Sequence, residues 1–97
     1  MKSLEEIKLT IRRHFSFLES EYNVLTIDVF GSYSKNEQSS KSDLDLLVTF
    51  SKAPSLLKYI SLENYLSDIL DLNVDLVMKK SLKPHLKDFI LSEVHPI

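Results

Sequence analysis

Apolar residues follow two alternating periodicities along the chain, and these predict helices and strands in turn. In residues 4–20 they recur every three or four positions, which is the spacing of one face of an amphipathic helix. Ser3, followed three residues later by Glu6, forms a capping box that starts this helix. Val24–Phe30 is short and rich in residues that favour strands, so we predict the first strand there.

The same patterns predict two further strands and two further helices. The strands are residues 43–50 and Val74–Met78, and Pro54 with Ser55 marks the start of the helix between them. We expect this helix to be well buried, because it has a broad apolar stripe made of Leu56, Leu57, Ile60, Leu66, Ile69 and Leu70. A final helix capped by Ser81 would carry the apolar residues Leu82, Leu86, Phe89 and Ile90.

Residues 31–42 are polar and predict one or two helical turns followed by a loop. The predicted order is therefore α, β, (α), β, α, β, α. This order indicates an α/β (α+β) fold, in which a small mixed β-sheet is packed with helices in a single domain over residues 1–97.

The composition argues against several classes of protein. The chain has no cysteine, which rules out disulfides and thiolate metal sites and leads us to expect a reducing cytoplasm. It has no apolar run of the roughly 20 residues that cross a membrane. A net charge of −2 argues against a domain that binds nucleic-acid phosphates. The lysines of residues 79–87 are expected to form a solvated face, with contact to RNA or an acidic partner as a weaker alternative.

The position of the single glycine suggests a phosphate-binding turn. Average usage of about 7 % would give roughly seven glycines, yet the chain has only Gly31, directly before Ser32. A turn that follows a strand and opens a helical segment presents backbone N–H groups to a phosphate, and glycine allows close approach. The Ser32 hydroxyl can donate to the same phosphates, and Lys35 can add a positive charge.

Three aspartates suggest a metal site. Asp43 and Asp45 flank Leu44, so in a strand both carboxylates face one side with Cα atoms about 6.5–7 Å apart. Their repulsion favours a cation between them, and carboxylate oxygens suit Mg²⁺. Asp75 lies inside an apolar strand, where it needs solvent or a partner. If the third strand lies beside the second, the three carboxylates suit a two-metal site for in-line displacement.

These motifs resemble a known family. Gly31-Ser32, ten intervening residues and Asp43-Leu44-Asp45 resemble the signature of the DNA polymerase beta-like nucleotidyltransferase superfamily. Residues 29–33 and 41–48 resemble its minimal nucleotidyltransferase (MNT) branch, and residues 74–84 resemble the third-carboxylate strand and final helix of that branch. The similarity covers about residues 25–93 and implies a nucleotidyltransferase palm-like sheet.

The resemblance implies Mg²⁺-dependent transfer of a nucleoside monophosphate, expected to be AMP from ATP, to a protein hydroxyl or a nucleic-acid end. Asp43 and Asp45 would bind Mg²⁺, and Asp75 would complete a site for two ions and help to activate the acceptor. Gly31 and Ser32 would hold the triphosphate. Members of this branch often pair with a helical HEPN-domain protein as toxin and antitoxin, so the resemblance implies a HEPN-type partner and an antitoxin role.

The chain departs from the family pattern after the serine. The family often has arginine and then glycine where this chain has Lys35 and Asn36. Lysine keeps the positive charge but lacks the two-pronged hydrogen bonding of arginine, which weakens the expected phosphate contact of Lys35.

Plainer interpretations stand beside these. An isolated Asp-x-Asp is usually an exposed strand end, and Asp28 is expected to be a solvent-facing strand residue rather than a fourth acid. The three histidines, His14, His85 and His95, lack metal-site spacing. Two alternatives to catalysis stay open: an antitoxin that neutralises its partner by occlusion, and a sensor that binds ATP and Mg²⁺ without transfer.

Overall fold

The computed structural model describes residues 3–33, 43–82, 90–92 and 94–97. In chain order the elements are helix α1 (Leu4–Tyr22), strand β1 (Val24–Phe30), strand β2 (Leu44–Phe50), helix α2 (Leu56–Leu70), strand β3 (Val74–Met78) and strand β4 (His95–Pro96). Short 3-10 turns, Gly31–Tyr33 and Lys79–Ser81, follow β1 and β3.

Local chemistry sets both ends of α1. The Ser3 hydroxyl oxygen accepts the N–H of Glu6 at 3.2 Å, which confirms the predicted cap. The helix ends at Tyr22, two residues beyond the predicted end, because Asn23 adopts a left-handed conformation and donates its N–H to the Glu19 carbonyl at 3.1 Å. In this extension the Tyr22 hydroxyl forms a hydrogen bond with Ser61 Oγ of α2 at 2.9 Å.

The strands form one mixed sheet in the order β3-β2-β1-β4. Strand β1 is antiparallel to both β2 and β4, whereas β2 and β3 are parallel. This confirms the predicted mixed sheet packed with helices. Strand β4 was not predicted, because two residues carry no periodicity and proline argues against a strand except at an edge, which is where β4 lies.

The core lies between the two helices and one face of the sheet. The sheet contributes residues from alternate positions of β1, β2 and β3, and the helices contribute one apolar row each. The fully buried members are Ile7, Ile11 and Leu18 of α1, Leu62, Leu66 and Leu70 of α2, and Val29, Leu44 and Leu46 of the sheet. No helix among the described residues is both long and apolar enough to span a membrane.

The predicted orientation of α2 was partly wrong. Leu66 and Leu70 are buried as expected, but Leu56, Leu57 and Ile60 are 73 %, 80 % and 45 % exposed. The buried row is completed by Leu62, which the predicted stripe omitted. At about 100° per residue, Leu57 and Ile60 turn away from the row of leucines spaced four apart, so the broad stripe combined two sides of the helix.

The predicted final helix lies mostly outside the described residues, which exclude 83–89. The structure places Ser81 at the end of the 3-10 turn Lys79–Ser81, and Leu82 after it is extended.

Two matched substitutions test the orientation of α2. Leu62→Ala should lower the free energy of unfolding by about 2–5 kcal/mol, because it opens a cavity in a fully buried row. Leu57→Ala, the same change on the same helix, should alter it by no more than about 0.5 kcal/mol. Urea denaturation measures both values, and equal losses would contradict the described orientation.

Candidate active site

The site lies on the face of the sheet opposite to the helices. Asp45 and Asp75 are register partners on the parallel strands β2 and β3, so their side chains point to the same side. Asp43 directly precedes β2, and the Leu44 N–H donates to the Asn73 carbonyl at 2.9 Å, which continues the β2–β3 pairing to its edge. The expectation that the third strand lies beside the second is therefore confirmed, and the three aspartates share one corner of the sheet.

Asn73 fixes the orientation of one of these acids. Its side-chain Nδ2 donates to Asp43 Oδ1 at 2.9 Å. Asn73 was not predicted to be a site residue, although it directly precedes β3 and its position two residues before Asp75 puts both side chains on one face. That spacing is the signal by which it could have been found.

Asp45 is an acid under electrostatic stress. Its carboxyl group is partly buried, and loss of solvation, together with the negative charges of Asp75 and then Asp43, raises its pKa to about 6. Because all of these causes disfavour the ionised form, a cation placed beside Asp45 would stabilise it. The arrangement therefore suits a ligand that brings positive charge.

The donor chemistry fits Mg²⁺, but not as a closed protein cage. Among the described residues, no three Asp, Glu, His or Cys side chains already stand together as a complete ligand set. Mg²⁺ is commonly held by one or two carboxylates, with substrate phosphate and water completing its octahedron. Asp43, Asp45 and Asp75 could therefore supply protein ligands to an ion that arrives with a nucleotide.

Gly31 is required by the geometry next to Asp45. It follows Phe30, which is the register partner of Asp45, and its φ of +75° lies in the left-handed region. A Cβ atom at Gly31 would lie 2.2 Å from Asp45 Oδ2, which no side chain could tolerate without displacement of the carboxylate. The backbone of the turn therefore lies directly against the central acid.

The predicted phosphate-binding turn is only partly described. Ser32 lies in the 3-10 turn Gly31–Tyr33, beside Gly31, and Lys35 lies outside the described residues. A single 3-10 turn offers backbone N–H groups but is too short to sum the dipole of a full helix. Tyr33 was not predicted to be part of the turn's function, but it is 1 % exposed and anchors the turn in the core.

Asp28 is not simply a solvent-facing strand residue. It is half-buried and pairs with Leu47 of β2, which lies two residues after Asp45. The side chains of Asp28 and Asp45 are therefore on the same face of the sheet. Burial raises the pKa of Asp28, and the positive charge of Lys79 opposes this rise. Its position makes it a neighbour of the site.

This mixed sheet, with acids in register on adjacent strands and a glycine turn against them, defines the palm type of nucleotidyl-transfer domain. Residues 11–95 match the family described as the nucleotidyltransferase domain. The chain therefore belongs to this family, and the predicted enzyme class, nucleotidyltransferase, is confirmed.

Individual relatives agree with this assignment. The chain is 48 % identical over 94 residues to the protein adenylyltransferase MntA of Thermococcus cleftensis. The matched region covers 97 % of this chain and 95 % of that protein. A solved structure provisionally described as a minimal nucleotidyltransferase is 31 % identical, with a TM-score of 0.83 over 99 % of this chain and 97 % of the other. A toxin–antitoxin structure with AMP-PNP is 26 % identical, with a TM-score of 0.72 over 88 % and 69 %. The predicted minimal nucleotidyltransferase fold is thus confirmed.

Substitution of Gly31 tests the close approach to Asp45. Gly31→Ala should lower the free energy of unfolding by at least about 1–2 kcal/mol, because alanine is strained in the left-handed region. Its Cβ should also displace the Asp45 carboxylate and reduce nucleotidyl transfer more than stability alone explains. Gly31→Asn separates the two effects, since asparagine tolerates this backbone conformation but keeps the Cβ. Urea denaturation and a transfer assay measure them, and full activity in either variant would contradict the geometry.

The raised pKa of Asp45 predicts a pH-dependent stability of the metal-free protein. Because the folded state holds this proton up to about pH 6 and the unfolded chain loses it near pH 3.8, the free energy of unfolding should fall as pH rises through this window. Asp45→Asn removes the titrating group, so this variant should exceed the wild type in stability above pH 6 and match it at pH 3. Urea midpoints across pH 3–8 measure the difference, with Asp68→Asn on the exposed side of α2 as control. Parallel curves for wild type and Asp45→Asn would disprove the prediction.

Proposed function

We propose that this chain transfers AMP from ATP to a hydroxyl group of a partner protein, in an Mg²⁺-dependent reaction, and acts as the antitoxin of a toxin–antitoxin pair with a helical HEPN-type protein. The observation that carries the proposal is the position of Asp45, which lies opposite Asp75 in register and directly against the backbone of Gly31. The single site thus combines neighbouring carboxylates, which favour a cation, with a glycine backbone that a triphosphate can approach closely.

Each proposed residue has a distinct task. Asp43 and Asp45 would hold Mg²⁺, with Asn73 keeping one Asp43 oxygen engaged so that the carboxylate stays oriented. Asp75 would complete the ligand set and accept the proton of the acceptor hydroxyl. When two ions are bound, they would stabilise the attacking and leaving oxygens of the displacement.

The glycine turn would hold the nucleotide. Backbone N–H groups of the turn at Gly31 and Ser32 would contact the triphosphate, and Lys35 would add a positive charge near it. The acceptor oxygen would form a bond to the α-phosphorus while the bond from that phosphorus to the bridging β-phosphate oxygen breaks. Pyrophosphate then leaves, and the acceptor carries AMP.

Relatives support the choice of substrate and partner. MntA of Thermococcus cleftensis, at 48 % identity, is named a protein adenylyltransferase, which supports ATP as donor and a protein as acceptor. The toxin–antitoxin structure with AMP-PNP supports both an adenine nucleotide and a protein partner. The absence of cysteine fits the reducing cytoplasm that we propose as its compartment.

A second candidate function is neutralisation by binding alone. The specific observation in its favour is the exposed apolar group at the start of α2, Leu56, Leu57 and Ile60, since exposed apolar side chains that lie together often mark protein contacts. A partner held there could be masked without transfer of a nucleotide.

One labelling experiment separates the two functions. The purified chain is incubated with α-labelled ATP, Mg²⁺ and a HEPN-type helical protein taken from an adjacent gene, and both proteins are examined by gel and mass spectrometry. We expect label on the partner with the wild type and at least about a hundredfold less with Asp43→Asn/Asp45→Asn, because the metal ligands are lost. Asp68→Asn serves as the matched control.

The negative outcome is equally informative. A stable complex with an unlabelled partner, together with neutralisation that survives Asp43→Asn/Asp45→Asn, would reject catalysis and favour occlusion. Tight binding of ATP and Mg²⁺ without release of pyrophosphate would favour the sensor function instead.

A further inference from the structure

The strand that carries Asp75 lies at an edge of the described sheet. Strand β3 pairs with β2 on one side only, so the backbone groups on its other side receive no partner from the sheet. Such an edge is held less firmly than a central strand unless another element covers it. The exact position of Asp75 therefore depends on what occupies the outer side of β3.

A row of polar side chains on α2 occupies this edge. Ser67 Oγ accepts the N–H of Val74 at 3.1 Å, and Glu63 Oε2 accepts the N–H of Leu76 at 2.9 Å. The Tyr59 hydroxyl donates to the carbonyl of Leu76. Tyr59, Glu63 and Ser67 are spaced four residues apart, so they form one stripe along the helix beside the buried leucine row.

Asp75 lies between the two residues that this stripe holds. The N–H groups of Val74 and Leu76 are fixed to α2, while Asp75 itself is in register with Asp45 of β2. The backbone on both sides of Asp75 is thus held from outside by the helix and from inside by the sheet. A shift of Leu76 would move the Asp75 carboxylate relative to Asp45.

The acceptor for the Leu76 N–H is a carboxylate, that of Glu63. Burial raises the pKa of Tyr59, and the negative charges of Glu63 and then Asp75 raise it in the same direction. A neutral side chain could accept the same N–H without adding negative charge. A hydrogen bond to an ionised acceptor is roughly twice as strong as a neutral one, so a carboxylate holds the Leu76 N–H more firmly than a neutral side chain would.

From these contacts we propose that Glu63, supported by Tyr59 and Ser67, is a positioning residue that sets the Asp75 carboxylate against Asp45 for nucleotidyl transfer. The proposal rests on the function proposed above, because it assigns Asp75 to the reacting centre. Glu63 acts only through the backbone of β3 and does not touch the substrate.

The test compares two substitutions of Glu63 that differ in one property. Glu63→Ala removes the acceptor for the Leu76 N–H, whereas Glu63→Gln keeps an amide oxygen in its place. For Glu63→Ala we expect kcat to fall between about tenfold and a hundredfold with KM for ATP changed by less than about twofold, because a displacement of about 1 Å at a reacting group has effects of this size. Glu63→Gln should stay within about threefold of the wild type.

Two readouts do not depend on turnover. Amide hydrogen exchange at Leu76 should accelerate in Glu63→Ala and stay close to wild type in Glu63→Gln. Binding of Mn²⁺ in the presence of a non-hydrolysable ATP analogue, followed by electron paramagnetic resonance, should weaken by about tenfold in Glu63→Ala, the size typical of lost support for a metal ligand. Asp68→Ala, an exposed acid on the same helix, should leave all three readouts unchanged.

Each outcome decides a different point. Wild-type kcat in Glu63→Ala, or an equal loss in Glu63→Gln, would overturn the positioning role while leaving the proposed function intact. A wild type that neither binds Mn²⁺ with the nucleotide nor transfers AMP would overturn the proposed function and this inference together. If Glu63→Ala does not fold, Ser67→Ala removes the neighbouring bond to Val74 and should lower kcat about twofold to fivefold with KM unchanged; no change there would overturn the inference.

Discussion

The parallel pairing of β2 with β3 is the constraint on which the site depends. It places Asp45 directly beside Asp75 and holds the two carboxyl groups together despite the repulsion between their charges. The pairing survives because the other face of the same two strands is buried: Leu44 and Leu46 of β2 belong to the same core as Leu62 and Leu66 of α2. Full burial of each such side chain contributes about 1.5–3 kcal/mol, so the apolar face supplies the stability that the acidic face removes.

The acidic face is strained in a way that has a chemical use. The pKa of Asp45, raised to about 6, reflects both loss of solvent and the charges of Asp75 and Asp43. A cation that enters with a nucleotide would relieve this stress, so the protein would bind the metal and substrate together more readily than either alone. Pre-arranged charges of this kind are efficient because they need not reorganise during the reaction.

Helix α2 links core and site. Its leucine row, Leu62, Leu66 and Leu70, packs on the sheet, and its polar row meets the outer edge of β3. One helix thus sets the distance of the edge strand from the core and the position of the strand along its length. Its first turn points apolar side chains outward, where they are available to a partner protein.

The order of the main elements could be predicted from the sequence because it follows from local signals. Ser3 and Ser55 mark the helix starts through caps, and the strands Val24–Phe30 and Val74–Met78 were predicted with the bounds that the structure has. The carboxylate pattern around Asp43 and the single Gly31 indicated the kind of site for the same reason. Residue type and short spacing carry this information.

Tertiary structure alone decided the remainder. Which side of α2 faces the sheet depends on the neighbouring strands, so Leu62 is buried while Leu57 is exposed, although both are leucines in one helix. The contact of Gly31 with Asp45, the bond from Asn73 to Asp43 and the bond from Glu63 to Leu76 join residues at least ten positions apart. Such contacts arise only when distant segments pack together, and no local periodicity can report them.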